Sequence, residues 1–107
     1  MQRHGWVIKL KPGKLERYKE LHANVWPEVA KMISDCNIRN YSIYHRDGYL
    51  FSYLEYHGDD FEADMQKMAD DPVTQKWWEE CCPCQEPLET NKEGEWWGDM
   101  EEVFHQD

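Results

Sequence analysis

The chain has 107 residues, enough for one domain and too few for two. Twelve Lys and Arg against 22 Asp and Glu give a formal net charge of −10, which argues against nucleic-acid and anionic-membrane partners. A neutral ligand such as a sugar meets no such penalty.

Aromatic residues make up 14% of the chain, with six Trp and six Tyr, types that favour binding clefts and interfaces as well as cores. No apolar run approaches the length of a spanning helix, and the N-terminus, MQRHGWVIKL, lacks a signal-peptide apolar stretch. The expectation is a soluble, cytoplasmic protein. Of the four cysteines, three crowd into the CCPC stretch Cys81 to Cys84 and Cys36 stands apart. A zinc site needs a second spaced pair, which is missing, so these thiols read as structural and no metal is expected.

Trp6 to Leu10 alternates with period two and reads as a first strand. After the turn Lys11-Pro12-Gly13-Lys14, a helix carries Leu15, Tyr18, Leu21 and His22. Tyr18 and His22 are four apart, which stacks them on one helix face. Pro27 disfavours helical geometry at Trp26, so the helix should break there. Asn24 is the expected cap of the next helix, with Val25, Trp26 and Pro27 in its first turn. That helix has an apolar stripe at Val25, Val29, Met32, Ile33 and Cys36.

Ile38 to His45 is a second strand, with Tyr41, Ile43 and His45 on one face. Asp47-Gly48 is a tight-hairpin pair. Tyr49 to Tyr56 is a third strand, apolar on both faces, as expected of a strand covered on both sides. Asp59 to Ala69 is a helix, and the next is capped by Asp71 with Pro72 in its first position. That helix carries the adjacent pair Trp77-Trp78, whose side chains point roughly 100° apart. Cys82 to Gly98 reads as an irregular ordered loop, a lid or a dimer arm, and Asp99 to His105 as a last strand. His4, His45, His57 and His105 have no partner at metal-ligand spacing and read as surface or interface residues.

The order strand, helices, strand, strand, helices, strand is the split βαβ pattern. It predicts a single α+β domain over residues 1–107, ferredoxin-like, with an antiparallel sheet and helices on one face. The bare sheet face then needs a cover, which a second subunit would supply.

YKELHANVWPE (Tyr18 to Glu28), NYSIY (Asn40 to Tyr44), LFSYLEY (Leu50 to Tyr56), the segment Asp71 to Trp78 and the terminal MEEVFH together resemble the L-rhamnose mutarotase family. The resemblance runs from the first strand to the last. It implies a homodimeric α+β barrel that interconverts the α and β anomers of a 6-deoxyhexose without a cofactor. It places the proton-donating histidine at His22, the sugar-contacting tyrosines at Tyr18 and Tyr41, and the paired tryptophans at Trp77 and Trp78.

Mutarotation takes a proton from the anomeric hydroxyl and puts one on the ring oxygen, which is general acid–base work. His22 is the expected acid, with Tyr18 or a water on the other proton. Tyr41 is expected to bind a sugar hydroxyl, and an indole to lie against the C–H face of the ring. Two other readings fit the same pattern: a haem-handling or oxygenase-type α+β barrel, and a sugar-binding module without catalysis.

Overall fold

The computed structural model describes residues 1–107. Strand β1 (Gln2–Leu10) leads into helices α1 (Leu15–Ala23) and α2 (Pro27–Asp35). The hairpin β2 (Ile38–Arg46) and β3 (Tyr49–Tyr56) follows, then helices α3 (Phe61–Ala69) and α4 (Pro72–Cys81). A 3-10 turn at Cys82–Cys84 feeds β4 (Gln85–Glu86), and β5 (Gly98–Asp99) is the last paired segment. The sheet runs β2-β3-β1-β4, with β5 also on β1, and its pairings are antiparallel. This is the ferredoxin-like α+β arrangement. None of the helices is long and apolar enough to cross a membrane.

Local chemistry sets the joints. Arg46 pairs with Tyr49 across a two-residue turn in which Asp47 and Gly48 both have positive φ, 53° and 81°. That turn has the twist a hairpin requires. The Asp60 carboxylate accepts from Ala63 N at 3.1 Å and the Asp71 carboxylate from Thr74 N at 2.9 Å. Each cap satisfies an orphan donor at a helix start, worth about 1 kcal/mol.

Alternation decides which residues reach the core. Ile8 lies opposite Leu50 and His4 opposite Leu54, on the face that the helices cover. Ile8, Leu50, Leu54 and Tyr56 are almost completely buried. Full burial of each aliphatic side chain contributes about 1.5–3 kcal/mol. One cluster joins Ile8, Leu10, Tyr18, Leu50 and Cys84; another joins Leu21, Val29, Trp77 and Cys81. Cys81 and Cys84 therefore pack into different clusters, and all four thiols are free. Burial pushes the Cys81 thiol up to about 12, so it stays protonated and behaves as a small apolar side chain.

A bulge in β2 sets the face that Tyr41 occupies. Arg39 pairs with Glu55 and Ser42 with Tyr53, so Asn40 and Tyr41 together stand opposite Leu54 alone. Asn40 takes the left-handed conformation, φ 50°, and its amide donates to the Glu55 carboxylate at 2.8 Å. The Tyr53 hydroxyl donates to the same carboxylate at 2.8 Å, and these bonds hold Glu55 down at about 2. Without the extra residue Tyr41 would fall opposite Tyr53, on the outer face. The bulge turns Tyr41, Ile43 and His45 toward the helices instead.

Three local expectations are corrected. α2 starts at Pro27 with Trp26 as its cap residue, extended at φ −62°, ψ 134°, and not at Asn24. Proline disfavours helical geometry in the residue before it, and with Trp26 extended the helix begins at Pro27. Asn24 instead ends α1. The last strand is also far shorter than Asp99 to His105. Only Gly98–Asp99 pair with β1, with one further bond from Met100 N to Gly5 O at 2.9 Å. Val103 and Phe104 are 87% and 77% exposed, so strand propensity there is not backed by burial. Conversely, the stretch after Cys84, expected to be irregular, contributes β4 at the end of β1.

Candidate active site

A cavity of about 660 Å³ opens between the helix layer and the sheet, within the range of small-molecule sites. α1 gives it Leu15, Tyr18 and His22; β2 gives Tyr41, Ile43 and His45; α4 gives Thr74, Trp77 and Trp78. Every site residue expected from the sequence, Tyr18, His22, Tyr41, Trp77 and Trp78, lines this one cavity.

His22 sits in the last turn of α1, half-buried, with its ring stacked on Tyr18 at 4.3 Å and 26°. Its Nδ1 lies 2.9 Å from the Tyr18 carbonyl oxygen. A carbonyl only accepts, so Nδ1 carries the proton. The neutral ring then has its lone pair on Nε2, on the opposite side of the imidazole. Burial lowers the His22 pKa below its ordinary 6.5, against a smaller raising effect of the Tyr18 carbonyl. At neutral pH the ring is therefore an uncharged base.

Trp77 is 6% exposed and meets His22 edge-on, at 5.3 Å and 68°. Trp26 meets Trp77 in the same way, at 5.3 Å and 71°. The break at Trp26-Pro27 thus places an indole behind the one that braces the imidazole. Trp78, 39% exposed, stands at the rim of the cavity. The adjacent tryptophans divide their work: Trp77 is core and support, and Trp78 presents a face.

The two phenols are weak acids in this setting. Burial raises Tyr18 well above the ordinary phenol range, with the nearby Tyr41 adding to the effect. Tyr41 exposes 40% of its surface, yet its hydroxyl end is desolvated enough to be pushed up to about 12. Both stay protonated at neutral pH, so each hydroxyl keeps a proton it can donate.

Three residues at the site escaped the sequence reading. Gln85, 4% exposed, donates from Nε2 to the Tyr18 hydroxyl at 3.0 Å. Its Oε1 accepts from Trp96 Nε1 at 2.8 Å. Neither residue stands at a motif spacing from Tyr18; the short β4 strand brings them in. His45 is exposed, as expected of a surface or interface residue, and it also lines the cavity, with its Nε2 accepting from Gly48 N at 3.2 Å. The alternation of β2 already put it on the face of Tyr41.

Comparison with known proteins places the chain in a family. The family model for L-rhamnose mutarotase matches residues 3–106. The chain is 34% identical to the L-rhamnose mutarotase of Bacillus subtilis, with both chains fully covered. It is 40% identical to that of Phocaeicola vulgatus over 81 residues, 74% of this chain and 75% of the relative. Among solved structures, an L-rhamnose mutarotase from Formosa agariphila superposes with a TM-score of 0.78 over the whole of both chains, at 24% identity. Tetracenomycin F2 cyclase from Streptomyces glaucescens, a polyketide cyclase, does so at 0.73 with 13% identity and full coverage of both chains, which speaks to the fold alone. A family match over nearly every residue, on a ferredoxin-like frame that gathers a half-buried imidazole, two phenols and two indoles around one cavity, leads to one assignment: the chain belongs to the L-rhamnose mutarotase family of carbohydrate isomerases.

Proposed function

We propose that this chain interconverts the α and β anomers of L-rhamnose, or of a closely related 6-deoxyhexose, by proton transfer at His22. The supporting observation is the pinned imidazole. Its Nδ1–H is held by the Tyr18 carbonyl in an aromatic-walled cavity, which leaves Nε2 for the sugar.

The proposed sequence starts with a neutral ring. His22 Nε2 takes the proton of the anomeric hydroxyl, and the electron pair left on that oxygen forms the carbonyl. The C1–O5 bond breaks with its pair going to O5, which receives the proton back from the imidazolium. Rotation about C1–C2 presents the other aldehyde face, and the same steps in reverse close the ring. His22 thus serves as base and then as acid, while Tyr18 and Tyr41 hold sugar oxygens as donors. Trp78 offers a flat apolar surface to the C–H face of the pyranose. No step calls for a cofactor.

Magnetisation-exchange NMR of L-rhamnose tests this reading. Faster exchange between the anomer signals with the protein present is expected. Quenching of tryptophan fluorescence by the sugar without faster exchange would leave a binding module instead, and a Soret band on haem titration would favour the haem-handling reading. The four free thiols suit a reducing compartment, so we place the protein in the cytoplasm.

The outer sheet face is the proposed homodimer surface. Tyr44, Tyr49 and Phe51 expose 66%, 39% and 36% of their surfaces there, and register puts Phe51 between Val7 and Tyr44. An apolar face of this kind calls for a partner. Sedimentation should give a dimer, and Phe51→Lys, at the centre of the face, should give a monomer. A parent that sediments as a monomer at tens of micromolar would refute the assignment.

A further inference from the structure

We propose that Gln85 is a positioning residue that makes Tyr18 an obligate hydrogen-bond donor toward the cavity, so that Tyr18 selects an acceptor oxygen of the sugar. This rests on the mutarotase reading of the cavity and adds to it residues from the far end of the chain.

Polarity fixes which atom of each group faces which. An indole nitrogen only donates, so the Gln85 atom 2.8 Å from Trp96 Nε1 has to be the amide oxygen. The amide nitrogen then faces the Tyr18 hydroxyl, at 3.0 Å. An amide nitrogen only donates, so the phenol oxygen accepts, and its own proton is left for another partner. Gln85 is the one protein group bonded to that hydroxyl, and Tyr18 lines the cavity. The direction of the chain is therefore fixed from Trp96 through Gln85 to Tyr18 and on to the ligand. Without Trp96 the amide could turn over, accept the phenol proton and silence Tyr18 as a donor.

The arrangement is built to be rigid. Gln85 is almost fully buried at the Leu10 end of β1, where it pairs with Leu10 in the sheet register. Lys11 N donates to Cys84 O at 2.8 Å next to it. Trp97, the neighbour of Trp96, packs against the cluster that contains Tyr18. A buried glutamine costs stability unless both ends of its amide are satisfied, and here both are.

The test is a double-mutant cycle on sugar affinity, with L-rhamnose as the probe and tryptophan fluorescence as the readout. Gln85→Glu keeps the shape and reverses the polarity: the new carboxylate accepts both from Trp96 and from Tyr18, and the phenol proton turns away from the cavity. Affinity should fall about tenfold, the value of one well-made hydrogen bond. In a Tyr18→Phe background the same substitution should change affinity by less than twofold, because the group it acts through is gone. Trp96→Phe, which removes the indole N–H and keeps an aromatic ring, should weaken binding severalfold; it answers the same question if the carboxylate prevents folding. In the anomer-exchange assay these variants should raise KM far more than they lower kcat.

Equal losses in the parent and Tyr18→Phe backgrounds would show a merely structural role and overturn the proposal. So would a folded Gln85→Glu or Trp96→Phe variant that binds as well as the parent. If the parent accelerates anomer exchange while the cycle is additive, Gln85 alone has been misassigned. If the parent neither binds nor exchanges L-rhamnose, the mutarotase reading falls and takes this one with it.

Discussion

His22→Ala is expected to cut the catalysed anomer exchange of L-rhamnose by about 10²–10⁴-fold, the usual value of one positioned acid–base group. At 1.36 kcal/mol per tenfold, that is about 3–5 kcal/mol of barrier. The fold should survive, since the imidazole is only half-buried and no side chain depends on it for a hydrogen bond. Exchange at the parent rate in the folded variant would remove His22 from the mechanism. The pH dependence follows from the sign of the shift. The first step needs the neutral ring, and burial lowers the folded pKa below 6.5. The rate should climb as pH rises through that depressed value and be level by neutrality. A histidine with a raised pKa would still be losing protons, and gaining rate, above pH 7.

Trp77→Ala is expected to have the largest effect on stability. Its indole is 6% exposed, belongs to the cluster of Leu21, Val29 and Cys81, and braces both His22 and Trp26. Truncating such a side chain costs about 3–5 kcal/mol, transfer and cavity terms together. Domains of this size hold about 5–15 kcal/mol in total, so a large share of the fold's stability would go. Trp78→Ala, 39% exposed at the cavity rim, should cost less than about 1 kcal/mol of stability while weakening sugar binding. Urea midpoints of the two variants separate these roles. Equal midpoints would mean that the division between support and contact face is wrong.

Much of this was legible because it is local. Tyr18 and His22 meet by the four-residue spacing of one helix, and their rings do stack. Asp47-Gly48 and Asp71 act within three residues of themselves, as a turn and a cap. The alternation of β2 gave the right partners for Tyr41 because the bulge at Asn40 lies before it, and a period-two count begun at Tyr41 does not see the extra residue. The family resemblance then supplied roles that periodicity alone leaves open.

What stayed hidden depends on distant partners. Gln85 meets Tyr18 across 67 positions and Trp96 across 11, through a strand of two residues with no periodicity to read. The terminal Val103 and Phe104 have good strand propensity but stay exposed and unpaired, so pattern misled there. At Asn24 two local rules competed, and the covalent restriction that Pro27 places on Trp26 outweighed a capping preference.

The proton-transfer chemistry depends on the state of the His22 ring, and ¹⁵N NMR of the histidine side chains across pH 4 to 8 reads it directly. The prediction is that His22 titrates below 6.5, is the Nδ1–H tautomer at pH 7, and has an Nε2 signal that moves when L-rhamnose is added. A His22 that titrates above 6.5, or that carries its proton on Nε2 when neutral, would contradict it.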